Sequence, residues 1–305
     1  MNFPLVLCLA VILDAIFGDP RNFPHPVRLI GNLISYWYNK LHVNSFLLGL
    51  AVVAITVTAT GLFVFIVLYI SGFNIAVKVY LLYSALAWRD LKDETRPIYQ
   101  SLIDNDIQSA RKYLSFVVGR DTERLNETEI IRATIETIAE NSVDGVMSVI
   151  FFAAIGNAVN PSWGMGVSVW IFKAASTLDS MLGYESLGKF GTAAAKLDDI
   201  MNFLPARLGG LIITMGRPEA LRVFMRDRLK HKSPNSAHGE SAFAGVLGVR
   251  LGGGAYYGGK FVAREWLNEG GREPVVGDIP RAWRVLDASC LMLSVIVIAL
   301  DMMII

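Results

Sequence analysis

Three observations predict an all-α fold for a polytopic integral membrane protein with cytoplasmic helical loops. Hydrophobic residues make up 53% of the 305-residue chain and charged residues only 18%, with a mean hydropathy of +0.44, a balance too apolar for an ordinary soluble domain. Phe46–Ile70, FLLGLAVVAITVTATGLFVFIVLYI, runs for 25 residues without a charge, enough to cross about 30 Å of hydrocarbon at about 1.5 Å per residue. No stretch shows the period-two alternation of half-buried strands, and there is no internal repeat or low-complexity tract.

The other apolar segments follow in order. Phe3–Phe17 is a short span whose Asp14 is expected to face protein rather than lipid. Ile75–Trp88 follows the long span after a four-residue turn and reads as a return span with Lys78 snorkelling near its start. Val146–Phe172 is broken by GNAVNPSWGMG and reads as two short helices in a hairpin or re-entrant element. Phe203–Met215 contains Pro205 and Arg207 and suits a buried or interfacial segment better than a crossing; Val285–Ile305 is the last span. Two polar stretches, about 89–145 and 217–284, carry eight and twelve Lys/Arg. That excess places them, with 18–45 and 173–202, on the cytoplasmic side of a cell membrane, in one membrane-embedded domain covering residues 1–305. Leu91, Ile98, Leu102 and Ile107 recur at helical spacing in the first stretch, and another helical run starts near Glu127.

Charge and cysteine usage exclude several classes. The 28 basic residues nearly balance 27 acidic ones, for a net charge of +1, so the chain lacks the basic surface of a nucleic-acid binder. Cys8 and Cys290 sit in apolar runs without a CxxC partner and read as two buried thiols. The first eighteen residues have no basic n-region or small-residue cleavage site and are expected to stay in the mature protein.

Chemistry-bearing residues gather where apolar segments end. In IRATIETIAENSVDGVMSVIFF, Glu136, Glu140 and Asp144 stand four apart, a carboxylate stripe on one helical face. Such a stripe needs cations: a metal ion and a substrate ammonium, or protein cations such as Arg132 or Lys173. KLDDIMNFLPAR places Asp198 and Asp199 one turn before Asn202, flanked by Lys196 and Arg207. Two hard oxygens so spaced suit Mg²⁺ bridged to phosphate, and equally the ordinary charges of an interface helix. Lys173 and Asp179 in KAASTLDSMLG are either site residues or an interfacial lysine and a helix-capping acid. DAIFGDPRNFPHPVRLIG puts Asp14, Asp19, His25 and Arg28 in a loop stiffened by Pro20, Pro24 and Pro26. His25 there is a general base or a structural histidine. GAYYGGKF matches seven positions of a phosphate-binding loop and fails at Phe261, which favours close backbone packing or a different anion site.

Taken together, DAIFGDPRNFPHPVRLIG, VVGRDTERLNETEIIRATIETIAENSVDGV, KAASTLDSMLGY, FGTAAAKLDDIMNFLPARL and SPNSAHGESAFAGVLGVRLGG make the chain resemble the adenosylcobinamide-phosphate synthase family of cobalamin biosynthesis, the CbiB/CobD integral membrane proteins. The motifs lie in the family's order and reach to about residue 260. The resemblance implies an acid–amine ligase, a carbon–nitrogen ligase joining adenosylcobyric acid to (R)-1-amino-2-propanol O-2-phosphate. It implies ATP and Mg²⁺ as cofactors, the corrinoid as substrate, and other late cobalamin-pathway membrane enzymes as partners. Under it, Glu136, Glu140, Asp144, Lys173 and Asp179 are expected to be catalytic. Asp19, His25, Arg28, Arg120, Asn141, Lys196, Asn202, Arg207, Asn235 and Glu240 are expected to bind substrate, with Asp198 and Asp199 on the metal. Two departures stand out: only ESLGK links LDSMLGY to FGTAAAKLDD, leaving Lys189 as its one cation, and His238 and Gly239 replace an aromatic and a proline before Glu240. The competing class is a non-catalytic membrane regulator of the AmpE type on a shared scaffold.

Overall fold

The computed structural model describes residues 3–19, 25–41, 43–183 and 187–304. Pro20 and Pro24 of the N-terminal loop, and Glu185 and Ser186 of the shortened link, lie outside the described residues. In chain order the helices are α1 (Phe3–Phe17), α2 (Pro26–Leu41), α3 (Phe46–Ile70), α4 (Ile75–Tyr83), α5 (Trp88–Ile103), α6 (Ile107–Leu114) and α7 (Glu127–Asn141). A π-helical segment, Ser142–Met147, leads into α8 (Ser148–Val159), followed by α9 (Gly164–Leu182), α10 (Thr192–Met201), α11 (Phe203–Thr214), α12 (Pro218–Asp227), α13 (Ser236–Leu247) and α14 (Asp278–Ile304). The fold is all-α, as predicted, and Phe46–Ile70, Glu127–Val159 and Asp278–Met303 are long and apolar enough to cross a membrane.

Four short strands sit where no alternation is visible in the sequence. β1 (Leu251–Gly252) pairs antiparallel with β4 (Trp266–Leu267), and β2 (Ala255–Tyr257) with β3 (Lys260–Val262). Strands of two or three residues are too short to show a period, so the expectation of no β-structure is corrected here. GAYYGGKF is thereby a hairpin. Tyr257 pairs with Lys260, and Gly258 and Gly259 both take positive φ, 56° and 78°, as a two-residue turn matched to strand twist requires. Its exposed N–H groups do meet an anion, an internal one: Gly258 and Gly259 donate to the Asp121 carboxylate at 3.0 and 2.6 Å.

The chain divides into two compact units. The first comprises Met1–Ala87, Ser148–Asn202 and Ser294–Ile305. Within it α8 and α9 form the hairpin that the Gly/Pro break predicts. The approach is so close that a Cβ on Gly156 would lie 2.2 Å from the Gly164 carbonyl oxygen, and one on Gly164 2.0 Å from that of Gly156. Asn160 caps the turn by accepting from the Ser162 N–H at 2.9 Å. Asp14 is buried, 2% exposed, as expected. Three expectations in this unit are corrected. The return span ends at Tyr83, so α4 has nine residues, about 13 Å of helix and too short to cross. Lys78 does not snorkel: it is buried and donates to the Pro161 carbonyl at 2.8 Å, in the α8–α9 turn. Cys8 is exposed, while Cys290 is buried; neither is in a disulfide.

The second unit comprises Trp88–Met147 and Phe203–Leu293. Leu91, Ile98 and Leu102 are buried along α5, as their spacing predicts. Helix α7 starts in a capping box, with Asn126 accepting from the Glu129 N–H at 3.0 Å and Glu129 accepting from the Asn126 N–H at 2.8 Å, a reciprocal closure of two orphan donors. Helix α11 has twelve residues, about 18 Å, which keeps it short of a crossing, as expected.

Candidate functional site

In the second unit, α7 carries its carboxylates beside the loop and helix that hold His231 and Glu240. Glu136 is buried, 3% exposed. It is 2.7 Å from the Arg120 guanidinium, and its other oxygen accepts from the Gly252 N–H at 2.7 Å. This member of the stripe is thus compensated by a protein cation, and it is neither Arg132 nor Lys173: Arg132 pairs with Glu273 at 2.7 Å. Glu140, one turn further on, is exposed and lies within electrostatic reach of Glu240, Arg264, Arg120 and His231. Asp144 falls in the π-helical segment, whose wider turn takes it off the regular four-residue line. The stripe is therefore divided into a sealed ion pair, a carboxylate with no ion pair among the described residues and a re-aimed one.

Behind Glu140 lies a buried pair. His231 Nδ1 is 3.6 Å from Glu240 Oε1, with both side chains under 5% exposed. Burial opposes the charged imidazole, but the Glu240 carboxylate outweighs it and holds His231 above the usual histidine range. The remaining atoms of the pair, His231 Nε2 and Glu240 Oε2, are buried without a hydrogen-bond partner among the described residues. Asn235 precedes α13 and accepts from Arg207 at 3.2 Å. His238, where the resemblance leads one to expect an aromatic, is wholly buried edge-on to Phe224, with ring centroids 5.8 Å apart. Asn141 is exposed and bonded back to the Thr137 carbonyl at 2.9 Å.

A separate feature of this unit lies at the start of α7. Arg132 and Arg250 both pack on the Trp266 ring, at 4.7 and 4.4 Å from its centroid, and both bond Glu273. They line a pocket of about 500 Å³ with the first turn of α7.

The first unit holds two clusters. Asp198 on α10 accepts from the Asn202 amide at 3.1 Å, and Asn202 in turn accepts from the Ser148 hydroxyl at 2.9 Å. Burial, then the Asp179 charge and to a lesser degree that of Asp199, pushes the Asp198 carboxyl up to about 7. A carboxylate so poised attracts a cation. Lys196 is exposed on the same helix. In the second cluster His25 Nε2 is 3.4 Å from Asp19. Burial lowers the His25 pKa, opposed by Asp19 and aided by Lys173 and Arg28, so Lys173 belongs with the N-terminal motif. A cavity of about 580 Å³ lined by Leu9, Ile12, Val79 and Tyr83 opens beside Asp19 and His25.

The structure thus brings together Arg120, Glu136, Glu140 and Glu240 in one unit, and Asp179, Asp198, Asp199 and Asn202 in the other. The sequence reading missed His231, Arg228 and Arg264. His231 stands nine residues before Glu240 and has no periodic or motif signal of its own. Among the described residues, no group of three or more His, Cys, Asp or Glu is arranged as a metal cage. The Asp198–Asp199 pair nevertheless fits Mg²⁺, a hard ion commonly held by one or two carboxylates with water and substrate phosphate.

A family profile described as CobD/Cbib protein matches residues 7–286. The cobalamin biosynthesis protein CobD of Pelobacter propionicus is 42% identical over 87% of this chain and 85% of its own length. That of Clostridium tetani is 40% identical over 89% and 86%. The cobalamin biosynthesis protein CbiB of Salmonella typhimurium is 36% identical over 97% of both. No solved structure matches the chain.

Proposed function

The chain belongs to the CobD/Cbib family, and on that premise we propose that it works in cobalamin biosynthesis as an acid–amine ligase, adenosylcobinamide-phosphate synthase. It joins a corrinoid carboxylate, that of adenosylcobyric acid, to the amine of (R)-1-amino-2-propanol O-2-phosphate, at the cytoplasmic face of the cell membrane. The observation that carries this reading is Glu140, a carboxylate with no ion pair among the described residues, set beside the paired Arg120–Glu136 and His231–Glu240.

Amide formation from a carboxylate needs activation, here by ATP to an acyl phosphate, followed by attack of a neutral amine. The chain's residues suit both needs. Glu140 takes the proton of the substrate ammonium, which leaves the amine nitrogen free to attack. Glu136, locked by Arg120 and the Gly252 N–H, positions Arg120 beside it. Asp198 and Asp199 would hold Mg²⁺, which when bound supplies charge neutralisation for the phosphoryl groups. Lys173, Asp179, Lys196 and Asn202 stand near the two first-unit clusters as positioning and phosphate-binding groups.

The experiment is turnover by the purified protein in detergent, with adenosylcobyric acid, aminopropanol phosphate, ATP and Mg²⁺ each omitted in turn. The ligase reading expects amide only in the complete mixture. Amide in the absence of ATP, or none in the complete mixture from folded protein, contradicts it.

A further inference from the structure

Several arginines of the second unit have acids as partners: Arg120 has Glu136, Arg132 and Arg250 share Glu273, Arg226 has Asp227, and Arg272 has Asp278. Others, such as Arg111 and Arg264, donate to the Leu125 carbonyl and the Tyr257 hydroxyl. Arg207 and Arg228 differ from both groups. Among the described residues neither has a carboxylate at ion-pair distance, yet they lie within electrostatic reach of each other. Like charges so placed destabilise one another unless an anion stands between them.

Their setting is built rather than loose. The Arg207 guanidinium stacks over the Phe203 ring at 3.5 Å, donates to the Phe203 carbonyl at 2.7 Å, and donates to Asn235 Oδ1 at 3.2 Å. Arg228 stands 5.9 Å over Phe224, the ring that His238 meets edge-on. Its Nε is buried with no acceptor among the described residues, a cost that native structures seldom leave unexplained. His238 supplies no counter-charge and no competing cation: burial, then the two guanidiniums, lowers its pKa to about 4, so it is neutral at pH 7.

We infer that Arg207 and Arg228 form the binding site for a phosphate monoester dianion. A planar guanidinium gives two parallel donors to such a group, and two of them meet its two charges. The pairing of the site with aminopropanol phosphate rests on the proposed ligase reading; the site itself does not. Phe203, Leu204 and Leu229 are exposed, so the phosphate belongs either to the soluble substrate or to a lipid headgroup at the bilayer surface.

The test is binding to the purified full-length protein in detergent, without turnover, so that it stands apart from the ligase reading. The probes are aminopropanol phosphate, unphosphorylated aminopropanol and inorganic phosphate; lipid retention is read in nanodiscs of phosphatidic acid, whose headgroup is a phosphate monoester, or of phosphatidylcholine. Arg228→Gln and Arg207→Gln are each expected to weaken the phosphorylated amine at least tenfold and to leave the unphosphorylated amine unchanged. Loss of phosphatidic acid retention with phosphoamine binding intact assigns the site to a lipid headgroup. Unchanged binding of every phosphate-bearing probe overturns the inference. Should the variants not fold, phenylglyoxal modification of the wild-type protein decides: inorganic phosphate is expected to protect Arg207 and Arg228, and equal labelling with and without phosphate refutes the site.

Discussion

Arg120 stands 2.7 Å from Glu136, with both side chains largely withdrawn from solvent. Removing one partner of such a pair leaves an uncompensated buried charge, at a cost of roughly 3–5 kcal/mol. Arg120→Ala is therefore expected to lower the melting temperature strongly, and adding Glu136→Gln to recover part of the loss. Thermal unfolding in detergent reads both. A wild-type melting temperature for Arg120→Ala would show that the pair bears no structural load.

Glu140, by contrast, has no ion pair among the described residues. Glu140→Gln keeps the shape and deletes the base. Turnover is expected to fall about 100-fold while the melting temperature stays within a degree or so. A variant that melts early but turns over normally would make Glu140 a structural residue.

Asp198 and Asp199 give a different signature. Asp199→Asn is expected to leave folded protein with activity lowered about 100-fold and partly restored by raised Mg²⁺. Loss that no concentration of Mg²⁺ relieves would separate this pair from the metal.

The parts of the fold legible in the sequence are those set by local pattern. The charge-free run of α3 marks a span by itself, Asn126 and Glu129 announce the start of α7, and the Gly/Pro break between α8 and α9 marks a hairpin. The strands at 251–267 were hidden because two or three residues cannot show a period, although Gly258-Gly259 carries the turn signal. The partners of charged residues were hidden for a physical reason. Arg120–Glu136 and His231–Glu240 are made by chain reversals, so spacing along one helix pointed to Arg132 or Lys173 instead. Likewise the π-helical segment that re-aims Asp144 has no counterpart in a four-residue spacing rule.

Asp227 supplies a pH signature for the second unit. It is fully buried and bonded to Arg226, Lys230 and the Asn268 N–H. Burial alone would raise its pKa, but those three partners outweigh it and lower the carboxyl from 3.8 to about 2. A carboxyl depressed on folding contributes stability that is fully present above the unfolded pKa and lost as pH falls through the folded one. The window is therefore about pH 4 down to about pH 2, and the contribution is about 2 kcal/mol. Asp227→Asn is expected to melt earlier at pH 7 and to lose part of the acid-range decline. A decline of the same size in the variant would place the acid sensitivity elsewhere.

The most direct test of ligation through an acyl phosphate follows the carboxylate oxygen. Adenosylcobyric acid labelled with ¹⁸O in the reacting carboxylate is turned over with aminopropanol phosphate, ATP and Mg²⁺, and the released inorganic phosphate is weighed by mass spectrometry. One ¹⁸O per phosphate, in step with amide formed, is the expected result, because the oxygen leaves on phosphorus when the amine displaces it. Amide formation with unlabelled phosphate would contradict the account.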